Sequence, residues 1–477
     1  MPAISGKEFI DRINKQQSEI WLDGERIQGK ISEHPAFKGI LQEKANLYNV
    51  QLEQGLTYPS PKTGDSVGLS YLQPKSKEDL AKRRELIETW AKSTHGLMGR
   101  SPDYMNTVLT AFASSVKYLK GKKNCFPNHI TNLYERAREE DLSFTHTFVN
   151  PQVNRSQLHF EDPDEPISAR IIEENAKGIV IKGARLLATQ GGLTDEVLVF
   201  SAGGIMDQAH SFAFSIPSDT KGLRFIGRPS FVGGSSIFDH PLSTRYDEMD
   251  TILVFDNVLV PWDRVFFYHN LEVSNSFMIK SSFHHFALHQ VVTRQIVKLE
   301  FVLGIAEMIV QTINIGEYQH IQEKMSEIIT GIETMKGLLC KSEIEAELDD
   351  WGYMRPNINP LRVASNTFPR IYPRLTEILQ SLGASGMITI PSENDFNSEI
   401  KYDLHQYVQG KNADAETRVK VFRLAWDLTM SAFGTRETLY ERYFFGDPVR
   451  LSSLLYKTYP KEELVQNVKE FLGDALE

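Results

Sequence analysis

Hydrophobic spacing along this chain changes period twice, from helical to strand-like and back to helical, and that order excludes most folds open to 477 residues. From Ser76, which with Asp79 makes a capping-box signature, Leu80, Ile87, Trp90 and Ala91 recur on one helical face, and apolar helices are expected to continue to about Leu142. Residues 59–68 carry Pro and Gly and read as loop. Between Ser168 and Val265 the runs Gly178-Ile179-Val180-Ile181, Glu196-Val197-Leu198-Val199-Phe200 and Thr251-Ile252-Leu253-Val254-Phe255 are short, β-branched and bounded by turn residues, which predicts a compact β module. His210, Phe212 and Phe214 alternate with Ser211, Ala213 and Ser215, the pattern of a strand with one buried face. Beyond His285 the helical period returns. Ile296, Leu299, Leu303, Ala306 and Val310 form one stripe, and Ile321, Met325, Ile328, Ile332, Met335 and Leu339 form another. A third helix is expected from Arg374 and a fourth through Val421, Leu424, Ala425, Leu428 and Ala432, giving a four-helix bundle. The fold class is thus α+β, with a mainly helical segment over 1–145, a β module over 146–270 and a helical bundle with its tail over 271–477. A doubly wound sheet would alternate strands and helices throughout.

Charge and motif content narrow the function. The net charge of -10, with Lys and Arg scattered, offers no basic stripe for a nucleic-acid backbone. No Gly-x-Gly-x-x-Gly follows a strand and no Gly-Lys-Ser/Thr loop is present, so any redox cofactor must be held without those nucleotide cradles. The N-terminus has no apolar stretch behind a basic flank, and the most apolar helical stretch, residues 301–315, carries Glu307 and is too short to span a bilayer. Neither a signal peptide nor a membrane segment is expected. Cys125 and Cys340 are the only cysteines, which excludes a disulfide scaffold and fits the cytoplasm. His284, His285 and His289 invite a metal reading through an i, i+4 pair, but no Glu completes a zinc-protease pattern and no metal is expected.

The residues that carry chemistry gather in Gly99-Arg100-Ser101-Pro102-Asp103-Tyr104, Thr145-His146-Thr147 and Asn150-Pro151-Gln152-Val153-Asn154-Arg155-Ser156-Gln157. A cation, a phenol and an imidazole suit the task of holding a phenolic hydroxyl and steering its charge. Taken singly they have plainer readings: Arg100 and Asp103 as a helix-end ion pair, Tyr104 as a core aromatic, His146 as an interior histidine on a carbonyl.

Together with Leu187-Ala188-Thr189, Val260-Pro261-Trp262-Asp263-Arg264-Val265 and Gly446-Asp447-Pro448, these blocks resemble, in order and over nearly the whole chain, the oxygenase component of two-component 4-hydroxyphenylacetate 3-monooxygenases. The resemblance implies an acyl-CoA dehydrogenase-like fold, with an N-terminal helical domain, a central β-barrel and a C-terminal four-helix bundle that assembles homotetramers. It implies hydroxylation of a para-substituted phenol, such as 4-hydroxyphenylacetate, ortho to its hydroxyl. Molecular oxygen and FAD, delivered as FADH2 by a separate NAD(P)H-dependent reductase, are the implied co-substrate and cofactor. It casts Arg100, Tyr104 and His146 as catalytic and substrate-binding residues, with Ser201 and Ala202 beside the substrate's far end. Thr189 falls near the reactive edge of the flavin; His146, Thr147, Gln152, Asn154, Arg155 and Gln157 meet its polar atoms or ribityl-phosphate chain. Gly446, Asp447, Pro448 and Val449 fall near its phosphates, with Gln380 and Gly383 of a neighbouring subunit, and residues 203–208 form a candidate lid. The Val260-to-Val265 block reads as structural, with Pro261 ending a strand.

Rival readings share the architecture. An acyl-CoA dehydrogenase would need a carboxylate base and a pantetheine channel, and a flavin-binding scaffold would turn nothing over. A 4-hydroxybutyryl-CoA dehydratase would need a cluster ligated by three cysteines and a histidine; His289 occupies the histidine position, but Ile296 stands at a cysteine position and residues 96–104 contain no cysteine.

Overall fold

The computed structural model describes residues 3–153 and 165–473. Five longer helices lead the chain, Gly6–Lys15, Lys38–Glu53, Lys77–Ser93, Pro102–Ser114 and Pro127–Glu140. Ser76 caps the third as its spacing predicts, its hydroxyl accepting from the Asp79 N–H at 3.2 Å. Pro102 occupies the first turn of the fourth, where its missing N–H costs nothing, and every residue of that helix is buried. Tyr104 therefore rides on a helix sealed into the interior.

A six-stranded and a four-stranded sheet follow. The larger has Gly178–Thr189 and Asp250–Pro261 as its long antiparallel pair, flanked by Arg170–Asn175 and Leu223–Gly227. The smaller orders Val265–Tyr268, Phe212–Pro217, Glu196–Val199 and Phe144–Thr147, the last two parallel. The edge strand Phe144–Thr147 is stitched to the larger sheet by its side chains. Thr145 Oγ1 donates to the Thr189 carbonyl at 2.7 Å, Thr147 Oγ1 to the Leu186 carbonyl at 2.9 Å, and the Leu186 N–H to the Val149 carbonyl at 2.8 Å. This seam ties the strand that carries His146 to the main chain of Thr189.

Three local expectations fail for physical reasons. Glu19–Leu22, in the stretch read as mainly helical, is a strand that pairs parallel to Leu223–Gly227; the Asp23-Gly24 turn behind it has φ of 51° and 82°, the hairpin geometry that dipeptide favours. The expected loop near residues 59–68 contains a small hairpin, Thr57–Pro59 with Ser66–Gly68. Phe212–Pro217 is buried on both faces, because Ser215 donates to buried Glu196 while Phe212, Phe214 and Ile216 fill the opposite side, and His210 falls outside it in a one-turn helix.

The bundle follows the stripes in Phe283–Ile313 and Gln319–Ile344. The third helix begins at Ile358, well before the expected Arg374, since Pro369 and Pro373 are accommodated inside it. The fourth is broken in two, Ala415–Thr429 and Ala432–Tyr443, where Ser431 caps the second piece and Gly434 packs against the Leu428 carbonyl. Short helices Pro448–Thr458 and Glu462–Leu472 close the described chain. Among the described residues no helix is long and apolar enough to cross a membrane.

Candidate active site

Arg100 lies in the turn entering the buried helix that carries Tyr104, and its guanidinium is cupped by rings. Its carbon sits 4.3 Å from the Tyr104 ring centroid, 4.0 Å from that of Phe444 and 5.6 Å from that of Tyr440. Its Nε and Nη1 are buried and have no hydrogen-bond partner among the described residues. Asp103, the ion-pair partner that sequence proximity offers, accepts from Gln290 at 2.9 Å instead. Aromatic faces contribute up to about 2 kcal/mol to a desolvated cation, but an unmet buried donor on a charged group costs about 1–3 kcal/mol or more. The cup thus holds a cation whose in-plane donors await an oxygen.

The Tyr104 and His146 ring centroids are 5.7 Å apart, so cation, phenol and imidazole do meet. His146 packs in a three-ring cluster with Phe148 at 5.3 Å and Phe200 at 5.8 Å, which are themselves 5.6 Å apart. Burial first, and the Arg100 charge second, hold the imidazole well below the ordinary histidine range. Burial raises the Tyr104 phenol, with Arg100 pulling the other way. At neutral pH His146 is accordingly a neutral base and Tyr104 a neutral donor.

The remaining sequence-selected residues are distributed around this cup. Ser201 is buried just beyond Phe200, its Oγ accepting from the Gly203 N–H at 3.2 Å; Ala202 is exposed. Residues 203–208 are tethered by Asn275, whose amide exchanges bonds of 2.8 and 2.9 Å with the main chain of Ile205. Thr189 donates to Asp250 at 2.9 Å, and its oxygen then faces other partners as an acceptor. Asp250 works against its burial: Arg436 and Arg228 pull its carboxyl down to about 2, so that it remains an acceptor for Thr189. Gln152 lies exposed past Thr147, and Asn154, Arg155 and Gln157 lie outside the described residues. Gly446, at φ 110°, ends the turn that runs from Phe444. Asp447 there caps Pro448–Thr458, accepting from Val449 at 2.8 Å and Arg450 at 3.0 Å. That turn is thus joined to the cup through Phe444, with Val449 exposed. Gln380 and Gly383 lie at the far end of Ile358–Gly383, where Gln380 donates to the Thr429 carbonyl. Of the histidines, His289 bonds Glu343 at 2.8 Å and His285 the Pro356 carbonyl at 2.9 Å.

Sequence reasoning missed the cup itself. Phe444 and Tyr440 come from a bundle helix hundreds of residues away, and the only signal was the aromatic pair Phe444-Phe445 immediately before Gly446-Asp447-Pro448. It also missed the buried ions behind them. Arg294 pairs with Glu441 at 2.7 and 3.0 Å, Lys298 with Glu437 at 2.6 Å and Glu441 at 2.8 Å, and Arg436 with Asp250 at 2.7 Å.

Two family models match the chain: 4-hydroxyphenylacetate 3-hydroxylase N terminal over residues 5–267, and its C terminal counterpart over 274–473. The chain belongs to the 4-hydroxyphenylacetate 3-hydroxylase family. Within that family it is 62% identical to a probable 4-hydroxyphenylacetate 3-monooxygenase of Bacillus subtilis (strain 168), over 99% of both chains. It is 43% identical to the 4-hydroxyphenylacetate 3-monooxygenase oxygenase component of Geobacillus sp. (strain PA-9), over 100% of this chain and 97% of that one. A crystal structure of the oxygenase component of 4-hydroxyphenylacetate 3-monooxygenase, complexed with FAD and 4-hydroxyphenylacetate, superposes with a TM-score of 0.94 at 41% identity over 99% of both chains. The family's acyl-CoA dehydrogenase-like fold is therefore the fold of this chain.

Arg100→Gln removes the charge that helps depress His146 while leaving its burial, so the His146 midpoint should rise without reaching the ordinary value. Histidine 13Cε1 NMR measures this directly; an unchanged midpoint would contradict the geometry. Because the folded value is depressed, the His146 contribution to stability is present above the unfolded pKa and is lost as pH falls below it.

Proposed function

We propose that this chain is the oxygenase of a two-component monooxygenase that converts 4-hydroxyphenylacetate to the corresponding catechol. The overall change is phenol plus O2 plus FADH2 giving catechol, water and FAD, with the FADH2 supplied by a separate NAD(P)H-dependent reductase. The observation that carries this reading is the guanidinium of Arg100, set in an aromatic cup with its Nε and Nη1 buried and unmet among the described residues, and flanked by a neutral imidazole and a neutral phenol.

The residues present fit a flavin. Thr189, its hydroxyl hydrogen bonded to Asp250, offers an acceptor to the N–H groups of a reduced ring, and Thr147 lies on the same seam. Thr147, Gln152, Asn154, Arg155, Gln157 and Thr189 would hold the ring and ribityl chain, and residues 446–449 the phosphates, where an N-capped helix begins. When bound with oxygen, reduced flavin supplies an electrophilic oxygen atom for the ring carbon beside the phenol hydroxyl. Arg100 holds the phenol oxygen and favours its ionised form by a charge-assisted bond, Tyr104 donates a second bond, and the neutral His146 orients the hydroxyl as a hydrogen-bond acceptor. Phe148, Phe200 and Phe444 exclude water from that oxygen. The main-chain amides near Ser201 and Ala202, at a turn with Gly203 and Gly204 at positive φ, would receive the carboxylate at the far end.

We place the working divisions at 1–145, 146–270 and 271–477, with the cup drawn from all three, and the protein in the cytoplasm, where the free Cys125 and Cys340 are at home. A homotetramer is supported by the last two helices, which bury no residue and expose Val449, Tyr456, Leu464, Val465, Val468 and Phe471, the last 90% exposed.

The decisive assay supplies chemically reduced FAD and air with a panel of para-substituted phenols and scores catechol against peroxide. The wild type should form catechol from 4-hydroxyphenylacetate; Arg100→Ala and His146→Ala should still bind FAD and release peroxide in its place. Unchanged coupling in both variants would reject the assignment. Light scattering should return four times the 54.3 kDa chain mass, and a monomer would refute the assembly.

A further inference from the structure

Glu248 is fully buried, yet no ion pair links it to the Arg100 guanidinium, whose Nε and Nη1 have no partner among the described residues. Its carboxylate is spent on the main chain of the same segment: Oε2 accepts the Gly99 N–H at 2.8 Å and Oε1 the Arg100 N–H at 2.7 Å. Two successive N–H groups converging on one carboxylate make a stiff clamp, because both peptide planes are set at once. Gln190 completes it from the other side, its Nε2 donating to Glu248 Oε1 at 2.9 Å and to the Arg100 carbonyl at 3.1 Å. The Gln190 amide has one orientation available, since its Oε1 accepts from Lys44 Nζ at 2.9 Å. Gln190 reaches that position at φ 60°, a backbone conformation costing a non-glycine residue about 1–2 kcal/mol. Arg436, at 3.6 Å, faces the remaining side of Glu248. The Arg100 segment is also packed: a Cβ at Gly99 would lie 2.4 Å from the Tyr440 ring.

We infer that Glu248, with Gln190, is the positioning residue of this site: it fixes the Gly99-Arg100 peptide and, being saturated there, leaves the Arg100 guanidinium without an acidic partner among the described residues and open to an incoming phenolate. A carboxylate paired directly with Arg100 would hold the side chain equally well and would cancel the charge the phenol needs. Anchoring the main chain and stacking the guanidinium on aromatic faces holds it without neutralising it. The inference rests on the proposed role of Arg100 toward a phenol.

Glu248→Gln tests it. The amide keeps one acceptor and turns a donor toward the other N–H, so one arm of the clamp is lost at nearly constant volume. A misplacement of about 1 Å costs up to about 10²-fold in rate, so the variant should show at least about a tenfold higher KM for 4-hydroxyphenylacetate and release most consumed oxygen as peroxide. FAD affinity should stay at the wild-type value, and Glu248→Asp, which restores a carboxylate, should recover part of the coupling. A crystal structure of Glu248→Gln should show the Arg100 guanidinium displaced from the Tyr104 and Phe444 rings, a readout that needs no turnover. Gln190→Met, which removes the opposite arm and leaves buried Lys44 Nζ the Leu193 carbonyl at 3.2 Å as its acceptor, should act in the same direction if the first variant fails to fold. Wild-type coupling and KM in a folded Glu248→Gln or Gln190→Met, with Arg100 unmoved, would overturn the inference. Absence of catechol from the wild type with every phenol would instead overturn the functional reading, and the crystallographic result would still decide the role of Glu248.

Discussion

The structure depends on a band of ions buried between the bundle and the sheets, in which almost every charge is answered. Arg294 and Lys298, on the long Phe283–Ile313 helix, are neutralised by Glu441 and Glu437 on Ala432–Tyr443, and Arg436 on that helix reaches across to Asp250 at the end of a sheet strand. The desolvation of such groups is repaid only when each finds its partner, and removing one partner from a buried pair costs about 3–5 kcal/mol. The same helix carries Tyr440 and delivers Phe444, so the pairs that dock it also set the walls of the aromatic cup. Against this background Arg100 is the exception. Its Nε and Nη1 are buried without an acceptor among the described residues, and no carboxylate there pairs with it as Glu441, Glu437 and Asp250 pair with Arg294, Lys298 and Arg436.

Function follows from that exception. A cation with free in-plane donors beside a neutral imidazole favours an ionised oxygen ligand, and a phenol is the ligand whose reactivity rises when it ionises. The seam between the sheets links this chemistry to the cofactor side. His146 on the edge strand stacks in the cup, while Thr189, joined to that strand through Thr145, is oriented by Asp250, which Arg436 also holds. One ion pair thus bears on helix docking and on the hydrogen-bonding character of Thr189.

Much of the fold was legible because periodicity over long helices is a strong signal: the stripes through Ile296 to Val310 and Ile321 to Leu339 lie on the observed bundle helices, and Ser76 caps where its spacing says. Short elements were illegible for the opposite reason. Glu19–Leu22 has four residues and is a strand only because Leu223–Gly227 offers an edge, and the start of the third bundle helix was hidden by prolines that packing tolerates. Within the site, Arg100, Tyr104 and His146 were legible as a set through the blocks that carry them. Phe444, Tyr440, Glu248 and Gln190 could not be joined to them, since nothing local marks a residue whose partner is about a hundred or several hundred positions away. The polar residues at 154, 155 and 157 lie outside the described chain.

The most direct measurement is the ionisation of the bound substrate. 4-Hydroxyphenylacetate labelled with 13C at the ring carbon bearing the hydroxyl, bound to the protein and titrated by NMR, should ionise at a lower pH than the free phenol, and Arg100→Gln should abolish the difference. A bound phenol that ionises at or above its free value with Arg100 intact would contradict the account at its centre.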